Sequence, residues 1–166
     1  MSPTEVQKKS HTGERYLCFT LGSEQFALPL LSVKEVIAVP EVTPIPFCPS
    51  YFQGIMNLRG QVLSVIDLRT KMNIKPHKSS ENAVIICDLG SFSMGVMVDS
   101  IDSVVAPGHE DFSDKPEVQS SINTDFIMSV FRHGKKLVLL LDVAKALSVE
   151  DLKLIKGPKP AAKVAA

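Results

Sequence analysis

Asp67 and Asp142 each close an apolar run, Val-Leu-Ser-Val-Ile at 62–66 and Leu-Val-Leu-Leu-Leu at 137–141. Two carboxylates delivered in that way to one cleft could share general acid and base work. Simpler chemistry competes for both. Asp142 precedes Val-Ala-Lys-Ala-Leu and suits a helix N-cap, and Asp67 can pair with a neighbouring arginine. The histidines His11, His77, His109 and His133 stand in polar or turn contexts, and none is spaced from another His, Cys or carboxylate as a metal-ligand set requires. Neither a Gly-x-x-x-x-Gly-Lys-Ser/Thr phosphate loop nor a Gly-x-Ser-x-Gly elbow occurs, and Ser50 and Ser129 have no base near them in sequence. The reactive side chains point away from an enzyme, and no cofactor is expected.

The polar residues that break an apolar pattern at fixed places lie between Gly54 and Arg69, Gly-Ile-Met-Asn-Leu-Arg-Gly-Gln-Val-Leu-Ser-Val-Ile-Asp-Leu-Arg. Gly54 and Gly60 can supply positive φ or close chain approach, which places Asn57, Leu58 and Arg59 at a bend. The run Val62, Leu63, Val65, Ile66, Leu68 then reads as a buried strand, with Asp67 and Arg69 flanking Leu68 on one face. Arg59 has two compatible roles. It can fix the bend by pairing with Glu35 or Asp67, or stand exposed beside Leu58 at a partner groove, with Val33, Val36 and Ile37 as the nearby apolar patch or as core.

Short strands must position these residues. Tyr16–Leu21 alternates, and alternation returns at Phe26, Leu28 and Leu30 after Gly22-Ser23, which is a hairpin. Ser32 and Glu35 have capping-box spacing and predict a helical turn through Ile37, ended by Pro40. Pro44, Pro46 and Pro49 make a rigid extended connector, and Ser50–Gln53 reads as one helical turn closed by Gly54. Further strand-length runs cover 83–87, 94–98, 101–105, 126–131 and 137–141. A helix follows from Asp142, and Ser148 and Asp151 can start another toward Ile155. Short strands between Gly-, Asp- and Pro-rich turns indicate a mainly β barrel or sandwich.

The Gly-x-x-Asn-Leu-Arg-Gly stretch leading into a strand that ends Asp-Leu-Arg resembles the signature of the CheW-like chemotaxis coupling family. The resemblance runs from about Tyr16 to about Leu147, and includes the opening hairpin and the late Lys-Leu-Val-Leu-Leu-Leu-Asp-Val passage at 136–143. Two positions depart from it: Ser64 stands where a proline is common, and Ser129 where a glycine is usual. The resemblance implies two small five-stranded SH3-like β-barrels side by side, with short helices including a C-terminal one. One module over 15–152 is then expected, with halves at 15–78 and 79–147 whose terminal segments can cross between them, and flexible tails at 1–14 and 157–166. It also implies a non-enzymatic adaptor between the cytoplasmic tip of a chemoreceptor and the regulatory domain of a CheA-like histidine kinase, itself a double barrel, with room for weak ring-forming self-association. Positions matching Val33, Glu35, Gly54, Arg59 and Gly60 lie in the region implicated in coupling. The alternative within the same class is an adaptor of another chemosensory-type pathway, such as pilus motility. The chain is short for a receiver domain after the barrels, against a CheV-like arrangement.

Composition narrows the rivals. Eighteen basic residues balance eighteen acidic ones, and there are two Tyr and no Trp, unlike a basic groove with exposed aromatics for nucleic acid or a Trp-lined proline-peptide groove. A small β-barrel hydrolase or transferase is the rival from another class. With 45% hydrophobic residues the 166-residue chain can build a core without staples. Asp99, Asp102, Glu110, Asp111, Asp114, Glu117 and Asp125 face only Lys115 in their segment, which reads as a solvated loop or as a surface steering a basic partner. Cys18, Cys48 and Cys87 are odd in number and far apart, unlike a disulfide framework, and Cys18 and Cys87 fall in apolar strands as core residues. The N-terminal stretch lacks the apolar run of a signal peptide, and no segment is long and apolar enough to insert into a membrane. The expected place is the cytoplasm, reaching membrane receptor arrays through partners.

Overall fold

Apolar residues at every second position generate strands throughout the computed structural model, which describes residues 13–75, 81–113 and 126–147. In chain order, β1 (Tyr16–Leu21) and β2 (Glu24–Pro29) form the expected hairpin. β3 (Val33–Ala38), β4 (Phe52–Leu58), β5 (Gln61–Asp67), β6 (Ala83–Asp88) and β7 (Ser93–Val98) make a five-stranded sheet in the order β3-β6-β7-β5-β4. β8 (Ser100–Val105), β9 (Phe112–Ser113), β10 (Ile127–His133) and β11 (Lys136–Leu141) join the first hairpin in a six-stranded sheet, β8-β1-β2-β11-β10-β9. One-turn helices α1 (Leu68–Lys71) and α2 (Val143–Ala146) follow β5 and β11. Among the described residues no helix is long and apolar enough to cross a membrane.

Each sheet curls on itself. After β3 the chain crosses to the opposite edge, where Thr43 and Ile55 exchange backbone hydrogen bonds of 2.8 and 2.9 Å, bringing the β3 and β4 edges together. In the six-stranded sheet, Tyr16 of β1 meets Phe112 of β9 edge to face, with ring centroids 6.0 Å apart. Alternation then gives most strands two buried faces. Tyr16 and Cys18 point into a cluster with Ala27, Phe131, Val138 and Leu140 inside one barrel. Met56, Leu63, Val65, Val84 and Ile86 fill the other. The opposite faces, Phe19, Leu21, Phe26 and Leu28 from one sheet with Ile66, Ile85, Met94 and Val96 from the other, meet in a shared core. Burial on both sides is why β1 and β6 read as near-continuous apolar runs.

Four expectations need correction. The sheets do not divide at 78/79: β6 and β7 pair with β3, β5 and β4, while β1 and β2 pair with β8 and β11, so the opening hairpin is the crossing segment. The helical turn expected over Ser32–Ile37 is strand β3, preceded by a single 3-10 turn at Leu30–Ser32 with no side-chain cap. Pairing with β6 overrides the local Ser-x-x-Glu signal, because the ladder partners the whole segment at once. Ser50–Gln53 is likewise not helical: β4 starts at Phe52, whose ring is buried, and Gly54 lies inside the strand beside a bulge. Finally, Val62 is exposed and Leu68 opens α1, so the buried strand is shorter at both ends than the apolar run. The expected tail at 157–166, most of that at 1–14 and the helix start at Ser148 and Asp151 lie outside the described residues.

Candidate functional site

β4 and β5 pair Met56 with Leu63, Asn57 with Val62 and Leu58 with Gln61, leaving Arg59 and Gly60 as a two-residue turn. Both have positive φ, 51° and 86°, as a type I′ turn requires. The Asn57 side-chain oxygen accepts the Gly60 N–H at 2.8 Å and pins the loop. Such turns favour Asn-Gly, so an arginine in the first position is unusual and costs roughly 1–2 kcal/mol of backbone strain. Phe47 and Asn73 are the other non-glycine residues with positive φ among those described, and asparagine tolerates it.

From this turn the Arg59 guanidinium reaches β3, where Nη1 donates to both carboxylate oxygens of Glu35 at 3.0 and 3.1 Å. The arginine side chain is 74% exposed and the glutamate 28%. One nitrogen serves both oxygens, so the pair orients the arginine and leaves the rest of its guanidinium toward solvent. Of the residues singled out by sequence, the structure brings Glu35 and Arg59 together, with Gly60 in the same turn. Val33 instead packs against the shared core, on the other side of a β3 bulge from Ile37, which packs on the barrel interior. Gly54 has φ 138°, and a Cβ there would run into the Thr43 carbonyl and lie 3.0 Å from the Pro44 Cα. Its absent side chain lets the returning chain at Thr43 lie close alongside β4. Val36 and Val62 stand exposed near this end of the sheet.

The arginine that pairs with Asp67 is Arg69, and Asp99 joins them. Arg69 grips Asp67 through Nε and Nη2, both at 2.9 Å, and donates Nη1 to Asp99 at 2.8 Å, all three residues being buried. Hydrogen bonds donated to Asp67, and to a lesser extent to Asp99, raise the Arg69 pKa further, against the opposing effect of burial. Asp99 lies thirty residues away from Arg69, so no local spacing announces the pair. Asp142 caps α2 by accepting from the Lys145 N–H at 3.2 Å. Asp67 also accepts the Arg69 backbone N–H at 3.0 Å, so both Asp67 and Asp142 hold backbone in place at the start of a one-turn helix.

The acidic segment is partly internal wiring. Asp102 accepts from Thr20 and Gln25, and Asp111 from the Gly108 N–H. Desolvation lifts the Cys18 thiol to about 11, with a smaller push from Asp102, and burial lifts Cys87 to about 12. Desolvation, and then the hydrogen bond to Glu14, raise the Tyr16 hydroxyl. Burial lowers Lys71, whose ammonium lies 4.4 Å from the centre of the Tyr51 ring. Among the described residues no three His, Cys, Asp or Glu side chains gather as a metal site. A groove of about 720 Å³ runs between the sheets, walled by Val36, Ile37 and Ala38 on one side and Ser100, Ile101 and Asp102 on the other.

Residues 15–151 match the CheW-like domain. The chain is 31% identical over 144 residues to the chemotaxis protein CheW of Klebsiella aerogenes, covering 86% of this chain and 87% of that one. It is 30% identical over 139 residues to that of Treponema pallidum, covering 81% and 82%. The crystal structure of the scaffolding protein TtCheW from Thermoanaerobacter tengcongensis superposes with a TM-score of 0.75 at 27% identity, over 83% of this chain and 94% of that one. With the paired curled sheets and the Asn-Leu-Arg-Gly turn in place, these similarities make the chain a member of the CheW-like family.

Proposed function

We propose that this protein is a non-enzymatic scaffold that couples chemoreceptor cytoplasmic tips to a CheA-like histidine kinase, working at receptor arrays through its partners and able to self-associate weakly into rings. The observation that carries the reading is Arg59: a cation held in a strained turn, oriented by Glu35 and otherwise open to solvent. Strain of this kind is tolerated where a side chain must be presented. The Arg59 end of the five-stranded sheet, with Val62 beside it, would meet the kinase regulatory domain. The groove between the sheets would take a receptor helix, with Val36, Ile37 and Ile101 as apolar contacts among polar walls that include Gln25, Glu81, Asn82 and Asp102. Modest pairwise affinities suffice, since an array supplies effective concentration. For signal to pass, at least one partner must be bound differently in its two signalling states.

The test is calorimetric titration of the protein against a kinase regulatory domain and, separately, a receptor-tip fragment from the same organism. Saturable binding to both is expected. Arg59→Ala should melt as the parent does, since an exposed pair contributes about 0–1 kcal/mol, yet bind the kinase domain more weakly. A folded Arg59→Ala protein with undiminished kinase binding and a normal receptor-coupled kinase response removes Arg59 from the coupling surface.

A further inference from the structure

β7 belongs to one sheet and β8 to the other, and the single residue between them is Asp99. Its carboxylate is divided between the two sides. One oxygen takes the Arg69 Nη1 hydrogen bond, and the other accepts the Gly22 N–H at 2.6 Å from the β1–β2 turn. Its own N–H donates to the Thr20 carbonyl at 3.1 Å. Arg69 is in turn fixed by the two-point grip on Asp67, the last residue of β5. A planar guanidinium thus ties the end of β5 to the residue where the chain changes sheets. Ser100, Ile101 and Asp102, which wall the groove opposite Val36–Ala38, follow directly.

We propose that Arg69 is a positioning residue, which by fixing Asp99 against the five-stranded sheet sets the orientation of the two sheets and hence the width of the groove between them. The geometry needs arginine. A lysine ammonium is a compact point charge without the fork that satisfies one carboxylate at two points while reaching a second. The shared core resists separation of the sheets but is non-directional, whereas the clasp fixes direction. The link to receptor binding rests on the reading of the groove given above; the link to sheet orientation does not.

Two variants and two readouts test this. Spin labels on Val62→Cys and Leu137→Cys, exposed on different sheets, report the inter-sheet distance by pulsed EPR in a Cys48→Ser background, with Cys18 and Cys87 buried. Arg69→Lys and Asp99→Asn are then introduced; an asparagine oxygen can still accept from Gly22, so the second variant carries the test if the first does not fold. The expected result is a shifted or broadened distance distribution in a variant that still melts cooperatively. With it should come about tenfold weaker binding of the unlabelled variant to the receptor-tip fragment, within the usual range for coupled sites, and unchanged binding to the kinase domain. Distributions superimposable on the parent in the folded variants overturn the proposal. Altered distances with unaltered receptor affinity overturn its functional half and the assignment of the groove, leaving the clasp itself.

Discussion

Arg59 and its neighbours in the turn are where side-chain identity matters most, and the glycines around it differ in ways composition does not reveal. Gly54 and Gly60 both have positive φ, but a Cβ at Gly54 meets the Thr43 backbone while one at Gly60 meets nothing within 4 Å. Gly60→Ala should therefore cost about 1–2 kcal/mol of backbone strain alone. Gly54→Ala adds a collision with main chain that cannot rotate away, and should cost about 3 kcal/mol or more. Denaturant melts of the two variants check the order; equal losses would mean the Thr43 strand yields. The sequence made the pair Glu35–Arg59 legible as one of two options, because both residues stood out as polar among apolar neighbours. It hid the Arg69–Asp99 contact, since β7 and β5 are brought together by sheet topology and by nothing local.

Hairpin β4–β5 concentrates conflict between local preference and use. Replacing Arg59 by asparagine creates the Asn-Gly pair that a type I′ turn favours. Arg59→Asn should relieve about 1 kcal/mol and raise the melting temperature by about 2–4 °C, while weakening kinase binding as Arg59→Ala does. A more stable protein that binds less well would separate turn strain from turn function; a destabilised one would show that the Glu35 pair outweighs the strain. Local preference also loses to pairing in other elements. The Ser32–Glu35 spacing satisfies a helix-start rule, yet alternation through Val33–Ala38 and the ready edge of β6 decide the outcome. Local rules see a few residues and a sheet sees the chain. At Ser129, beside a bulge in β10, the hydroxyl oxygen is buried with no hydrogen-bond partner among the described residues, so a glycine there would leave nothing unsatisfied.

Across the whole molecule, strand positions were readable because two-sided burial makes apolar runs, but their assignment to sheets was not, since any strand can pair with any other until the cores are assembled. The packed interior also sets an alkaline limit. Cys18 and Cys87 have ordinary thiol values of 9.0, raised in the fold to about 11 and about 12. Groups raised in the folded state contribute stability that is whole below the unfolded value and lost as pH climbs through the folded one. The melting temperature should thus fall progressively from pH 9 to 12, with Tyr16 adding to the loss above pH 10. Thiol titration at pH 8 should show Cys48 reacting fast and the buried pair only on unfolding; a flat alkaline profile with three fast thiols would contradict the packing described. The parallel pairing of β2 with β11 has a further consequence for the order of events during synthesis. The five-stranded sheet has all its strands once Val98 is made and can close on the emerging chain, whereas the β1–β2 hairpin gains β8 only by Val105 and its parallel neighbour β11 only by Leu141. Strands β1 and β2 therefore precede the five-stranded sheet in the chain yet complete their own sheet after it.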